Sequence, residues 1–358
     1  MDSVSAAVAA PREGFRAELA RRLRPTSRWG LARRLGLVGY LLGYLIWFFT
    51  KGMIVDRISV TISVALLMVI VNLGRSRRVW LTLVADLVLY GGMWVAYDET
   101  RGVADSVGLP LQVHSVIGID RVLGLGYQPN VVLQEHFYHP DVVRWYDVVA
   151  SIVYFSHFVV IVILIAALWV WNRQQWVRLM RRTSTVLLLA CIGYVLLPTA
   201  PPWMAAGGDP TNKLDALPPL ARPAGRGWTH LGMHSFVHAW ETGRDWVNRT
   251  AAMPSLHGAF ALLVVVWLWP HVKRRELRYL MLAYPVSMLL SLVYLAEHYV
   301  TDVLAGWAAV GLSFAVWTAV ERRLVERREA RAAVVPADDA SEGAEEPDPA
   351  PAFAGSPH

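Results

Sequence analysis

The feature that most constrains this chain is a series of sparsely charged apolar runs, each close to the length of a bilayer crossing. They fall at about 35–50, 58–73, 79–97, 147–171, 182–198, 256–270, 279–296 and 303–320. A helix rises about 1.5 Å per residue, so about 20 apolar residues cross a hydrocarbon core of about 30 Å. Lipid offers no hydrogen-bond partner to the backbone, so each run must bond its own amides as a helix. The expected fold is an all-α, polytopic integral membrane bundle of about eight transmembrane helices. Composition points the same way. The chain has 358 residues, 55% of them hydrophobic and only 17% charged. That is too apolar for an ordinary soluble domain.

Lysine and arginine set the expected orientation. With the N-terminus inside and the spans alternating, 24 of the 34 basic residues fall on inner segments, although the outer segments are far longer. Both termini are then cytoplasmic in a multi-pass cell-membrane protein. The net charge of +6 reads as membrane orientation, with no nucleic-acid partner. No apolar region precedes the first span and no small-residue cleavage site follows it, so the expectation is an uncleaved anchor. Cys191 is the single cysteine, which rules out an intramolecular disulfide. The expected organisation is a basic cytoplasmic N-terminus (1–34), N-terminal transmembrane helices (35–110), a catalytic membrane domain (111–320) and a disordered cytoplasmic tail (321–358). Two outer segments are long. Residues 98–146 include an apolar, aromatic and polar mix at 131–138 that suits a helix lying on the membrane surface. Residues 199–253, rich in Pro, Gly and Trp, suit an ordered cap.

Two motifs stand apart from this frame. Pro254-Ser255-Leu256-His257 opens one apolar run, and His298-x3-Asp302 follows the next. One span goes down from His257, the basic turn at 271–278 reverses it, and the second returns. Both histidines therefore finish at one membrane boundary, on the extracytoplasmic side. His298 and Asp302 are four apart and share a helix face. Neutral imidazole is a nucleophile at physiological pH. A carboxylate on its far nitrogen fixes the tautomer and stabilises the cation that forms. A second histidine supplies the proton that a poor leaving group needs, worth about 10²–10⁴-fold. Ionisable groups near a bilayer are costly and default to function.

These motifs resemble the type 2 phosphatidic acid phosphatase superfamily over roughly 120–317. The flanking sequence is most similar to the inositol phosphorylceramide synthase-like branch, through Pro-Ser-Leu-His itself, through Leu197-Pro198-Thr199-Ala200-Pro201-Pro202-Trp203 and through Tyr154-Phe155-Ser156-His157. The resemblance implies that His298 attacks phosphorus and becomes a phosphohistidine, that Asp302 orients it, and that His257 protonates the leaving oxygen. It implies no cofactor and no metal. The chain departs from the superfamily in its cations. No Lys-x6-Arg-Pro motif stands in the matching place, and Leu292 occupies a position where the pattern has arginine. A developing phosphoryl charge needs compensation, so Arg249 is the first candidate, with Lys213 and Arg222 behind it. Ser255, at a helix start, is expected to hold phosphate oxygens with the first amides. His157 and Tyr154 are candidate substrate contacts, against the plainer reading of packed residues in a helix interface. His230, His234 and His238 recur every four residues; Gly232 among them and the lack of an acidic partner favour a cap feature over a metal face.

The expected function is a membrane-embedded phosphotransferase acting on a lipid phosphate or phosphodiester, inositol phosphorylceramide synthase-like, with surrounding membrane lipids as its other partners. The alternatives are a lipid phosphate phosphatase that uses water as acceptor and a non-catalytic lipid-binding or transport protein on the same scaffold. Oligomeric state is not legible in the sequence.

Overall fold

The computed structural model describes residue 20 and residues 28–54, 57–103, 107–209, 214–244 and 248–334. Lys213 and the tail beyond 334 lie outside the described residues, as does most of the basic N-terminus. Each of the eight apolar runs is helical. The N-terminal three are α1 (Arg28–Lys51), α2 (Arg57–Asn72) and α3 (Arg77–Val103). Two short helices follow, α4 (His114–Leu123) and α5 (Pro129–Phe137). Then come the long pair α6 (Trp145–Trp171) and α7 (Arg173–Leu196). The segment between α7 and the first motif holds α8 (Arg226–His230) and α9 (His234–Arg244). Last are α10 (Leu256–Leu268), α11 (Arg275–Met281), α12 (Ala283–Tyr294) and α13 (Val300–Val334).

Among the described residues six helices are long and apolar enough to cross a membrane, and Ile58–Asn72 and Leu256–His271 are shorter apolar helices. The protein is an all-α polytopic bundle. Leu35, Phe49, Ile58 and Leu89 lie exposed along the N-terminal helices, as an exterior solvated by lipid tails requires. The last helix continues past 320 to Val334. Residues 321–334 are therefore helical rather than the start of a disordered tail, because Glu321 is held by Arg182 of α7 through Nη1 and Nη2, each at 3.0 Å.

The core sits where α10 meets α13, α12, α6 and α7. Small residues allow the first of these contacts: a Cβ on Gly306 of α13 would collide with the Ser255 carbonyl oxygen at the start of α10. Without a hydrophobic drive between helices in lipid, such close backbone approach is what packs them. The basic end of the bundle is latched by the Arg173–Asp86 pair, where Nε and Nη2 reach the buried carboxylate at 3.0 and 2.7 Å. The Trp169 indole N–H donates to the same carboxylate at 2.8 Å. The opposite end carries both histidine motifs.

The helix at 129–137 keeps Glu135 and His136 exposed and turns Asn130 and Gln134 inward. Asn130 and Gln134 are buried, because their side chains answer backbone groups of the loop before α13, described next.

Candidate active site

A helix start leaves amides without partners, and the two starts that matter here find theirs in chemistry-bearing residues. At α10 the cap is Ser255, whose hydroxyl accepts from the Gly258 amide at 3.4 Å. At α13, Asp302 Oδ2 accepts from the Tyr299 amide at 3.0 Å. Asp120, on α4, reaches across the fold to accept from the Val300 amide at 3.3 Å, the Thr301 amide at 2.8 Å and the Thr301 hydroxyl at 2.7 Å. Burial raises the pKa of Asp120, and those hydrogen bonds pull against the shift. The Ser255 amide donates to the Asp302 carbonyl at 2.9 Å. That bond joins the two motifs directly.

His298 stands in the turn between α12 and α13. Its amide donates to the Leu292 carbonyl at 3.3 Å. Its carbonyl accepts from Asn130 Nδ2 at 3.1 Å, and the same nitrogen reaches the Val293 carbonyl at 2.8 Å. Gln134 bridges the Tyr294 and Ala221 carbonyls at 2.8 and 2.9 Å and accepts from the Ala221 amide at 2.8 Å. The Tyr294 hydroxyl donates to Asp147 of α6. The side chains of Asn130, Gln134 and Asp147 that support this turn come from residues far away in sequence.

The candidate side chains converge. His298 Nδ1 faces Asp302 Oδ2 at 3.3 Å, with the carboxylate fully buried. Asp302 Oδ1 is buried with no hydrogen-bond partner. The His257 and His298 rings lie 5.7 Å apart at 56°. Tyr154 stacks on His257 at 4.8 Å and 15°, and His157 lies 4.2 Å from it on another side. His257 Nε2 and His157 Nδ1 are both buried without a partner. A carboxylate on Nδ1 makes that nitrogen the N–H donor, so Nε2 of His298 carries the lone pair.

The predicted cation positions separate. Arg249 Nη1 pairs with the buried carboxylate of Asp209 at 2.8 Å, and its segment leads into the first motif through the Thr199 amide, which donates to the Thr250 carbonyl at 2.7 Å. Arg222 stands beside the nucleophile candidate: its Nε and Nη2 each reach the Glu297 carboxylate at 2.8 Å, and its guanidinium covers the Trp203 ring at 4.1 Å. Burial works against the Arg222 cation, and the Glu297 charge and hydrogen bonds more than restore it, so its pKa is raised. Ser255 is fully buried and turned to its own helix, a tighter position than an open phosphate ligand. Gly232, at φ 81°, ends the short helix and leaves His230 on α8 while His234 and His238 lie on α9. The three therefore do not line one helix face.

Family comparison matches residues 114–316 to the PAP2 superfamily, more than half of the chain. The chain belongs to the PAP2 superfamily. No curated protein matches it, and no solved structure does. PAP2 proteins are phosphatases and phosphotransferases, which supports an enzyme acting on lipid phosphates. The matched span begins at α4 and includes both histidine motifs, His157 and Tyr154.

Asp120, Asn130 and Gln134 went unnoticed in the sequence. The available signal was Asn130 and Gln134, four apart and flanking Val131-Val132-Leu133. That spacing marks a shared polar face but does not say whether the face meets water or protein.

Proposed function

We propose that this protein is a membrane-embedded phosphotransferase that moves a phospho group from a lipid phosphate or phosphodiester to an acceptor alcohol through a phosphohistidine at His298. The observation that carries the reading is the convergence of His257, His298 and Asp302 at one end of the bundle, with Asp302 on Nδ1 of His298. The Nε2 lone pair attacks phosphorus, an N–P bond forms and the P–O bond to the leaving group breaks. His257, carrying a proton, gives it to the departing oxygen. The acceptor hydroxyl then loses its proton to His257 and attacks phosphorus, and the N–P bond breaks. The Asp302 carboxylate stabilises the charge on the ring in both steps. Tyr154, stacked on the His257 ring, and His157, packed beside it, fix that ring and so hold the acid where the leaving oxygen must be.

An aromatic wall supports transfer over hydrolysis. Tyr154, Phe158 and His157 pack on His257, and a site walled this way keeps water from competing with a bound acceptor. The inositol phosphorylceramide synthase-like resemblance supports the same acceptor class, a polyol. By the distribution of basic residues, the site faces the extracytoplasmic side.

The test is incubation of purified protein in nanodiscs with labelled phosphatidic acid and labelled phosphatidylinositol, with and without inositol or glycerol. Label on a new alcohol supports transfer. Free phosphate as the main product in the presence of acceptor replaces the reading with hydrolysis. His298→Ala should abolish turnover and acid-labile protein label. If neither substrate turns over in the native protein, or if that variant is as active as the native protein, catalysis by this site is refuted.

A further inference from the structure

The superfamily match begins at residue 114, yet the helix before it reaches the site. Tyr90, Trp94, Tyr97 and Arg101 of α3 recur at steps of four, three and four, and so share one face. That face packs inward: Trp94 meets Phe260 of α10 at 6.4 Å, and Tyr97 meets Tyr194 of α7 at 6.3 Å. Tyr194 in turn donates to the carbonyl of Pro254 at 3.1 Å. Arg101 closes the face at the motif end. Its Nη2 donates to the Asn248 carbonyl at 3.4 Å, and Asn248 Nδ2 returns a bond to the Arg101 carbonyl at 2.7 Å. Asn248 Oδ1 accepts from the Thr250 amide at 2.8 Å. Arg101 is thereby tied to the segment that runs into Pro254 and His257.

Two features make this arginine more than a latch. Its Nε is buried with no hydrogen-bond partner, as is Nε2 of His257. Among the described residues no carboxylate forms an ion pair with Arg101, whereas Arg222 and Arg249 are both paired with acids. A buried unmet N–H on a cation is costly unless something anionic meets it. The positions where the superfamily pattern has cations are empty here, with Leu292 in one of them.

Beside Arg101 in sequence, an apolar groove of about 440 Å³ lies between α3 and α7, lined by Ala96, Tyr97, Thr100, Leu187, Cys191 and Val195 among others. Its flanks Leu188 and Leu196 face outward and are exposed. The groove follows α3 as far as Thr100, the residue before Arg101.

We propose that Arg101 is a phosphate-binding residue contributed from outside the matched superfamily region, and that the α3–α7 groove holds the hydrocarbon chain of the same lipid phosphate. The proposal rests on the phosphoryl-transfer reading above and deepens it. The unpartnered Nε–H of Arg101 offers a phosphate oxygen a charged donor, and the planar guanidinium can turn an Nη toward a second oxygen.

Orthovanadate, a phosphate mimic of trigonal-bipyramidal geometry, provides a probe independent of turnover, read through tryptophan fluorescence of the protein in nanodiscs. Arg101→Gln should weaken vanadate binding about 10- to 100-fold, the range for one charged hydrogen-bonding group. Arg101→Lys, which keeps the charge and loses the fork, should weaken it several-fold. If the Gln variant does not fold, the Lys variant decides. Vanadate bound by the native protein, with either folded variant equally tight, overturns the role of Arg101 and leaves phosphoryl transfer standing. Native protein that binds no vanadate sinks both. For the groove, the native protein should bind dodecyl phosphate more tightly than ethyl phosphate. Ala96→Trp, which fills the groove, should cut that ratio about tenfold, each buried methylene being worth about 0.8 kcal/mol. A ratio unchanged by this substitution removes the groove from the proposal.

Discussion

Replacing Asp302 with asparagine separates what the carboxylate does by shape from what it does by charge. A single oxygen, Oδ2, takes both the His298 Nδ1–H at 3.3 Å and the Tyr299 amide at 3.0 Å. The other oxygen is buried and touches no hydrogen-bonding group. An asparagine therefore keeps its carbonyl oxygen on the two donors and puts its amide nitrogen where Oδ1 was. The tautomer of His298 and the start of α13 survive; the negative charge does not. At 3.3 Å and an effective dielectric near 20, the attraction between a carboxylate and the ring cation formed on attack is about 5 kcal/mol. The amide dipole recovers part of it, leaving roughly 2–4 kcal/mol and a rate loss of about 10²–10³-fold. The assay is single-turnover transfer of label from lipid phosphate to protein, with thermal unfolding of both proteins beside it. Asp302→Asn should label slowly and melt close to the native protein. A folded variant that labels within about threefold of the native rate would refute the assignment of Asp302 as the group that stabilises the charged His298.

Three further outcomes follow from the site's supports. Asn130→Ala removes the donor to two buried carbonyls, Val293 and His298, and should cost roughly 2–4 kcal/mol; denaturant unfolding within 0.5 kcal/mol of native, about the noise of a surface change, would contradict that accounting. Gly306→Ala pushes a methyl into the Ser255 carbonyl and should destabilise by about 1–3 kcal/mol, with slower phosphohistidine formation as the two motifs part; a fully active, equally stable variant would show that α10 and α13 can separate freely. At Asp120 the pKa is raised, chiefly by burial, so its contribution is complete below the ordinary carboxylate range and diminishes as pH rises through the folded value. Asp120→Asn should therefore lie closer to native stability at pH 7 than at pH 4, and the reverse order in paired thermal melts would contradict the sign of that shift.

Much of the architecture was legible without coordinates because lipid is an exacting solvent. A run such as 147–171 has one way to satisfy its backbone, so its helix followed from composition alone. The turn at 271–278 likewise forced His257 and His298 to one end. Where water or protein can serve as the partner, that logic weakens. The mix at 131–138 suits a surface helix without saying that Asn130 and Gln134 are buried against the turn that carries His298. Arg249 ranked ahead of Arg222 as a loop cation in the sequence; only the fold put Asp209 on one and Glu297, next to His298, on the other.

The sequence by itself determined the class of the fold, its helices and the placing of both histidine motifs toward one end, since each depends on local hydrophobicity and on counting crossings. Only the tertiary structure decided which distant residues hold them. Asp120 caps a helix 180 residues away, and Arg101 joins the segment leading into the first motif across 147 residues. Such pairings are set by how helices pack, and helical periodicity marks a face without naming its partner.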